Sequence, residues 1–342
     1  MGCSTYPSLI VNNKIDNIQN TSIKEEELGD YGPLGEKIEF CKPVREFNYI
    51  TPNVLFLRDE KTILCDSEGN IHVYSDLNFY NPYIIKLFNG CTQDMILLND
   101  GSVAACSDDK SLKIFKIGEY THEIIKELKT NKKLWAIAKL SDTGNIAFGD
   151  NDGNLFLVFK SSNDYIPGKK ISFHNTLILN IVSLSSNILM IIYMNFGLIF
   201  LDLSKYRMIG KINHKYFTPF KCSIQIISDN ELLIGGENSI VLIDYINYIK
   251  IREFDNSCSY SLYKLSDEYL LCNYGDGLLK SFKMIRDENG QLDLKVESLN
   301  KVQDGSITGM TLCPDGKFIT FNLKSIKIWK KKNDNQLIVI DL

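Results

Sequence analysis

The nine cysteines of this 342-residue chain lack the close pairs that a structural zinc site requires. They stand at positions 3, 41, 65, 91, 106, 222, 258, 272 and 313, so no two are near neighbours in sequence. The N-terminus also lacks a basic region followed by an apolar run, which is the pattern of a secretory signal peptide. We therefore predict that most of the cysteines are buried and reduced in a cytosolic protein.

A catalytic pattern is lacking as well. His72, His122, His174 and His214 lie far apart in sequence, and none is near a nucleophile signature such as G-x-S-x-G. The acidic stretch GDNDGN at 149–154 does not have the glycine and glutamate spacing of an EF-hand calcium loop, and it predicts a hairpin turn instead. The sequence thus predicts no catalytic residue, no metal site and no cofactor.

Charge of one sign is not in excess, because 38 Lys and Arg residues stand against 42 Asp and Glu, a formal net charge of −4. This balance gives no general attraction for nucleic acid. Charged residues are wholly missing from 175–201, a stretch long enough to cross a bilayer as a helix. Its serine, asparagine and glycine residues are grouped where strands would turn, so we predict three buried strands there.

What the sequence does have is a repeat. Seven short runs, such as DKSLKIF and KSIKIW, share a polar or glycine turn followed by apolar alternation that ends on a large apolar residue. We call the last residue of each run its end residue; the seven are Tyr74, Phe115, Val158, Leu201, Ile243, Phe282 and Trp329. Successive end residues are 41, 43, 43, 42, 39 and 47 positions apart. A period of about 40–45 residues with several strands per unit is typical of β-propeller blades.

Each repeat also carries the patterns of three further strands. A strand opened by a turn precedes each run, as in NDGSVAAC at 99–106, and another apolar strand precedes that turn. A fourth strand follows the end residue, as in EIIKEL at 123–128. Four short antiparallel strands with Gly, Asn or Asp at the turns make one blade. We therefore predict an all-β chain of seven four-stranded antiparallel blades.

The two clearest copies, NDGSVAACSDDKSLKIF and PDGKFITFNLKSIKIW, resemble the WD-repeat (WD40-like) family, and the resemblance covers residues 37–342. The tryptophan of that family is kept only as Trp329, while Asp202 and Asp244 occupy the aspartate place of its Trp-Asp pair. Its Gly-His dipeptide is missing. The resemblance implies a divergent seven-bladed β-propeller over 37–342. The polar residues before it show no sustained period, so we predict a flexible polar tail over 1–36, with a tail packed beneath the propeller as the alternative. Because the usual side-chain network is mostly lost, we expect the blades to depend on apolar packing.

Two segments compete for the outermost place in the last blade. The segment EKIEFCKPV at 36–44 would close the ring from the N-terminal side, which is the usual arrangement in the family. The segment QLIVIDL at 336–342 also has the pattern of an outer strand. We expect the N-terminal segment to take this place, with the C-terminal one as the alternative. In both arrangements Trp329 is predicted to be a core residue and not a residue that stacks on nucleic-acid bases.

The resemblance implies a non-catalytic scaffold for protein–protein interaction, because a propeller presents loops on a rigid ring. The loops before the innermost strands are predicted to form one rim, and the candidate partner contacts there are Trp135, Lys133, Tyr216, Phe217 and Tyr260. Core packing is the alternative for each aromatic residue. A ligand-binding or hydrolytic propeller that uses the central channel is the alternative function, although the repeats show no matching set of carboxylates or histidines.

The chain begins MGCSTYPS, which indicates lipidation. Glycine after the initiator methionine is required for N-myristoylation, although Tyr6 stands where the pattern has Ser or Thr. Cys3 would accept palmitate, the second anchor that stable membrane binding requires. We therefore expect a cytoplasmic protein held peripherally on a membrane surface through Gly2 and Cys3, with a chance Gly-Cys start as the alternative.

Overall fold

The structure is a computed structural model, and every regular element in its described part is a β-strand. The strands form seven sheets, each of four antiparallel strands, which confirms the prediction of an all-β chain built from repeated four-stranded units. The residues that the structure describes are 50–57, 61–75, 82–140, 144–162, 164–214, 222–236, 239–255, 261–274, 277–301, 307, 309–312, 318–321, 326–333 and 336–339.

The sheets are numbered in chain order, and within each sheet the strands lie side by side in that order. Sheet 1 contains β1 (Ile50–Phe56), β2 (Thr62–Asp66), β3 (Asn70–Tyr74) and β4 (Tyr83–Lys86). Sheet 2 contains β5 (Thr92–Leu97), β6 (Val103–Ser107), β7 (Ser111–Ile117) and β8 (His122–Lys129). Sheet 3 contains β9 (Leu134–Lys139), β10 (Ile146–Asp150), β11 (Asn154–Lys160) and β12 (Tyr165–Ser172). Sheet 4 contains β13 (Ile178–Ser183), β14 (Ile188–Tyr193), β15 (Gly197–Asp202) and β16 (Arg207–Asn213). Sheet 5 contains β17 (Ile224–Ile226), β18 (Glu231–Gly235), β19 (Ser239–Asp244) and β20 (Ile249–Asp255). Sheet 6 contains β21 (Leu262–Lys264), β22 (Tyr269–Tyr274), β23 (Leu278–Arg286) and β24 (Leu292–Lys301). Sheet 7 contains β25 (Gly309–Leu312), β26 (Phe318–Phe321), β27 (Ile326–Asn333) and β28 (Gln336–Val339).

The seven end residues all lie on the third strands of their sheets. Six of them have described burial, and each is at most 1% exposed: Tyr74, Phe115, Val158, Leu201, Ile243 and Phe282. The seventh, Trp329, pairs with Phe318 on β26 and with Val339 on β28. The end position therefore needs a large apolar side chain and not a tryptophan, as expected from the dependence on apolar packing.

Apolar clusters fill the spaces between neighbouring sheets. One cluster combines Ile71 of sheet 1 with Phe115 of sheet 2, and the next combines Ile114 of sheet 2 with Phe148 of sheet 3. Three further clusters join sheets 3 and 4, sheets 4 and 5, and sheets 5 and 6 in the same way. Because both faces of a middle strand are covered, strands such as β14 are apolar throughout and not alternating.

The cysteines belong to these cores. Five lie in the described residues, and four of the five are buried: Cys65, Cys106, Cys222 and Cys272. This confirms the predicted burial for the described cysteines, while Cys3, Cys41, Cys258 and Cys313 lie outside the described residues.

The uncharged stretch 175–201 forms β13, β14 and most of β15, as predicted. Of the side chains of β14, all but that of Ile188 are buried. In the part of the chain that the structure describes, there is no helix long and apolar enough to cross a membrane.

The outermost place of sheet 7 is taken by β28, which pairs with β27 from Trp329 to Asn333. The expectation that the segment 36–44 takes this place is therefore wrong; that segment lies outside the described residues. The physical reason is loop length. Only two residues separate β28 from β27 in the chain, so this pairing orders little additional backbone.

Contacts between first strands join the sheets to each other. The strand β1 lies against β5, β5 against β9, β9 against β13, β17 against β21, β21 against β25, and β25 also lies against β1. Sheets 4 and 5 are joined by the Asn180 side-chain amide, which donates to the backbone carbonyl of Cys222 at 2.8 Å. Asn273 of sheet 6 donates in the same way to the carbonyl of Ile307 at 2.6 Å.

The outer strands of sheets 2 to 6 carry a β-bulge at a common place. In each of these sheets the register between third and fourth strands shifts directly before the end residue. A bulge bends an edge strand and interrupts its row of free backbone groups. The exposed edges are therefore poor templates for edge-to-edge pairing with another chain.

Candidate functional site

Sheet connections and turns meet at one edge of the sheets. Because strands alternate in direction, the turn between second and third strands lies at the same edge as the connectors between sheets. We call this the connector edge, and the opposite one the hairpin edge. The connector 130–133 packs between two such turns, since the Thr130 N–H donates to the Lys110 carbonyl at 2.8 Å and the Asn151 N–H donates to the Lys133 carbonyl at 3.0 Å. The loop before β9 is thus hydrogen-bonded to the turns on both sides of it.

Aspartate side chains fix the backbone of these turns. The Asp150 Oδ1 atom accepts the N–H groups of Asp152 at 2.9 Å and Asn154 at 2.8 Å, while its Oδ2 accepts the Asn154 side-chain amide at 2.7 Å. Asp66 makes the same contacts in sheet 1 and also lies 2.9 Å from His72. Burial opposes ionisation of Asp66, but the hydrogen bonds from His72 and Asn70 outweigh it, so its pKa is lowered. The stretch GDNDGN is therefore a capped hairpin turn, as predicted.

Trp135 lies in β9 at a β-bulge. Its neighbours Leu134 and Ala136 pair with Asp150 and Gly149, so Trp135 is the extra residue between them. It is half-buried and packs against the cluster that contains Leu177 and Leu179 of sheet 4. Part of this predicted contact residue thus belongs to the core between sheets, and its role in partner binding stays a prediction.

Lys133 is exposed beside Trp135, and its Nζ lies 3.3 Å from the Asp108 carboxylate across the connector edge. The remaining predicted site residues lie outside the described residues: Gly2, Cys3, Tyr216, Phe217 and Tyr260. Within the described ranges, no group of three or more His, Cys, Asp or Glu side chains is placed to hold a metal ion.

A crevice opens beside the connector 130–133, between sheets 2 and 3, and encloses about 330 Å³. Its floor is apolar: Phe148 is 3% exposed and stacks on half-buried Phe156, with ring centroids 5.0 Å apart and planes at 12°. Leu128 on β8 forms one wall, and Pro167 with Gly168 on β12 forms the other. The two walls are thus the outer strands of neighbouring sheets.

Three exposed lysines surround this crevice, and we call them the lysine rim: Lys129, Lys132 and Lys170. The Lys129 Nζ is 3.8 Å from the Glu127 carboxylate. The Lys132 Nζ is 2.6 Å from the Asp152 carboxylate, a hydrogen bond that raises the pKa of Lys132.

Lys170 is the member of the lysine rim without a carboxylate partner among the described residues. Its Nζ lies over the ring of Phe156, 5.7 Å from the centroid. Its position therefore joins the charge of the rim to the apolar floor.

Asp150 is the one carboxylate among the described residues that line the crevice. It is 1% exposed, and both of its oxygens are occupied by the turn that it caps. The lining therefore offers positive charge and apolar surface to a ligand. The Asp150 carboxylate is used by its own turn.

Part of this site could be predicted from the sequence. The stretch KTNKK at 129–133 places Lys132 and Lys133 before a first strand, which is why Lys133 is predicted as a contact residue. Phe156 and Lys170 are not found in this way, because their distance from Lys129 depends on how β11 and β12 lie relative to β8. The adjacent lysines 169 and 170 on a predicted outer strand are the remaining signal.

The chain matches no protein-family model and no curated protein.

Proposed function

We propose that the seven sheets are the blades of one closed β-propeller of divergent WD-repeat type, and that the protein is a non-catalytic scaffold that binds other proteins in the cytoplasm. Support for closure comes from the contact between β25 and β1, which brings the last sheet against the first. Each blade then buries its faces against two neighbours, as the clusters between sheets require.

The observation that carries the proposed function is the connector edge between sheets 2 and 3. There Lys132, Lys133 and the crevice stand on a backbone that capped turns and connector hydrogen bonds hold in place. A preorganised surface loses little entropy on binding. Fixed cations beside an apolar floor suit a protein partner with complementary charge.

The proposal is tested by capturing partners from an extract of the native host on the immobilised full-length protein. The Lys132→Glu, Lys133→Glu double variant is expected to lower the amount of specifically captured protein by about tenfold, because it reverses two charges at the surface. Glu119→Lys is a control for a charge reversal away from this surface, since Glu119 is exposed on the turn between β7 and β8 at the hairpin edge. If both variants capture the same proteins as the wild type, the connector edge is not the partner surface.

We further propose that the scaffold is held on a membrane by myristate on Gly2 and palmitate on Cys3, for which the support is the MGC start of the sequence. Mass spectrometry of the N-terminal peptide from the native host tests this directly. The Gly2→Ala variant is expected to move the protein from the membrane fraction to the soluble fraction. A free Gly2 with an unacylated Cys3 would contradict the tether and leave the scaffold proposal intact.

A further inference from the structure

We infer that the crevice between sheets 2 and 3 binds an acidic peptide segment, in which a bulky apolar side chain is flanked by carboxylates. The inference rests on the proposed function, since it names the kind of partner segment that the connector edge takes. The proposed binding surface is the lysine rim together with its apolar floor.

The floor selects the apolar side chain. The Phe156 ring is half-buried: it stacks on Phe148 on one side, and part of it lines the crevice. Leu128 on the wall is also half-buried, while Val158, which also lines the crevice, is buried. Together these residues leave apolar surface uncovered in a space of about 330 Å³. This volume lies at the lower end of ligand pockets, about 300–1,000 Å³, so one or two side chains would fill it.

The rim selects the carboxylates. Lys129, Lys132 and Lys170 stand around the space, and the one lining carboxylate, Asp150, is buried and accepts three hydrogen bonds from its own turn. Two carboxylates pair with lysines of the rim: Glu127 with Lys129, and Asp152 with Lys132. Glu127 also lies 3.9 Å from Lys113, which is not part of the rim. The Nζ of Lys170 lies over the Phe156 ring and has no carboxylate partner in the part of the chain that the structure describes, so it is the rim lysine left for a ligand. A positive rim on a chain with a formal net charge of −4 is a local feature and not a general one.

The two features lie close enough for one peptide to use both. The Lys170 Nζ is 5.7 Å from the centroid of the Phe156 ring, which is about the span of one or two residues of extended peptide at 3.3 Å each. An apolar side chain on the Phe156 face therefore brings a neighbouring carboxylate to Lys170. A simple anion would use the lysines without the floor, and an apolar ligand would use the floor without the lysines.

The test is fluorescence anisotropy with the full-length protein and a labelled probe, the hexapeptide Glu-Asp-Leu-Phe-Asp-Glu. We expect saturable binding that weakens as salt is raised, because the exposed charges are screened. A peptide with Gln and Asn in place of the acids, and one with Ser in place of Leu and Phe, should each bind at least about tenfold more weakly.

The matched variants are Lys170→Glu and Lys169→Glu. Both change one exposed lysine on the same strand, but Lys169 lies over the Tyr206 ring at 4.0 Å and does not line the crevice. Lys170→Glu is expected to weaken binding of the probe by at least about tenfold, and Lys169→Glu by less than about twofold. Circular dichroism and melting temperature check that both variants are folded.

Several outcomes would overturn the inference. These are no binding of the probe, equal weakening by the two variants, or equal binding of the probe that lacks Leu and Phe. Inorganic phosphate or a single-stranded DNA oligonucleotide that binds at Lys170 while the peptide does not would assign the crevice to a different ligand. If the peptide fails but the double variant of Lys132 and Lys133 still loses captured partners, the scaffold function stands and this site assignment falls. If the peptide binds but no partner is captured, the site stands and the scaffold function falls.

Discussion

The Asp94 side chain provides a sharp test of how the sheets are joined. It lies on β5 and is 2% exposed; its Oδ1 accepts the N–H of Met95 at 2.9 Å and its Oδ2 accepts the N–H of Ile137 in sheet 3 at 3.1 Å. The Asp94→Ala variant leaves two buried donors without this acceptor, and each such group costs about 1–3 kcal/mol. Removal of a buried carboxylate also saves part of its desolvation, so we expect a net loss of about 2 kcal/mol in unfolding free energy.

Urea unfolding followed by tryptophan fluorescence measures this loss. Trp135 is a suitable probe because it lies in β9, the strand whose Ile137 donates the hydrogen bond to Asp94. Asp94→Asn keeps one acceptor oxygen and should lose less than Asp94→Ala. Asn180 has the corresponding place in sheet 4, directly after the bulge at Leu179, and Asn180→Ala should lose a similar amount. A change below about 0.5 kcal/mol for Asp94→Ala, which is the ordinary range of surface substitutions, would refute the claim that buried polar side chains tie the sheets together.

Three further predictions concern packing, charge and backbone conformation. Trp135→Ala should lower the unfolding free energy by about 2 kcal/mol, less than for a fully buried tryptophan; an unchanged value would mark Trp135 as a surface anchor only. Burial opposes ionisation of Asp100, but hydrogen bonds from Lys160, at 2.6 Å, and from Ser102 lower its pKa from 3.8. Since the folded-state pKa is depressed, its stabilisation is full above pH 3.8 and shrinks as the pH falls further. The wild type should therefore exceed Asp100→Asn by up to about 1 kcal/mol at pH 7, and a gap as large at pH 2 would contradict this. Gly101 and Gly153 have similar positive φ angles, 80° and 79°, but a Cβ would meet nothing within 4 Å at Gly101 and a backbone oxygen at 2.0 Å at Gly153. Urea unfolding should show a loss in unfolding free energy of about 1 kcal/mol for Gly101→Ala and at least twice that for Gly153→Ala. Equal losses would show that the close contact at Gly153 does not matter.

The repeat could be predicted from the sequence because its signal is local. A turn residue followed by apolar alternation determines which side chains of a strand are buried, so runs such as DKSLKIF locate the third strands directly. The end residues vary from Tyr74 to Val158, yet all six whose burial is described are buried, since a position between two sheets requires volume and not a particular side chain. The same reasoning identified the three strands in the uncharged stretch 175–201.

What the sequence could not provide depends on contacts between distant strands. Trp135 lies near the start of a first strand, but whether it faces solvent depends on a bulge and on the apolar cluster between sheets 4 and 5. The crevice exists because β8 and β12 form its two walls, and no local pattern specifies that distance. The outer place of sheet 7 was decided by chain proximity, which favours β28, and strand propensity alone did not separate the two candidates.

Asp202 and Asp244 fix the backbone of the turns that follow them. The Asp202 Oδ1 accepts the N–H of Ser204 at 2.8 Å, and the Asp244 Oδ1 accepts those of Ile246 and Asn247, both at 2.9 Å. Four residues after each aspartate stands a tyrosine with a left-handed backbone, Tyr206 with φ 51° and Tyr248 with φ 60°. Such a conformation costs a tyrosine about 1–2 kcal/mol, which ring packing must offset.

Both tyrosine rings contact a residue of the preceding sheet. The Tyr248 ring centroid lies 4.7 Å from that of Phe200 in sheet 4, and the Tyr206 ring lies beneath the Lys169 ammonium of sheet 3 at 4.0 Å. In sheet 2, where Lys116 replaces the aspartate, the corresponding turn leaves Tyr120 73% exposed. The aspartate and the tyrosine therefore act together. The aspartate carboxylate fixes the backbone of the turn, and the turn directs the tyrosine ring toward the preceding sheet, where it packs. Because the aspartate is needed by the turn itself, it can stand in a repeat that contains no Gly-His dipeptide.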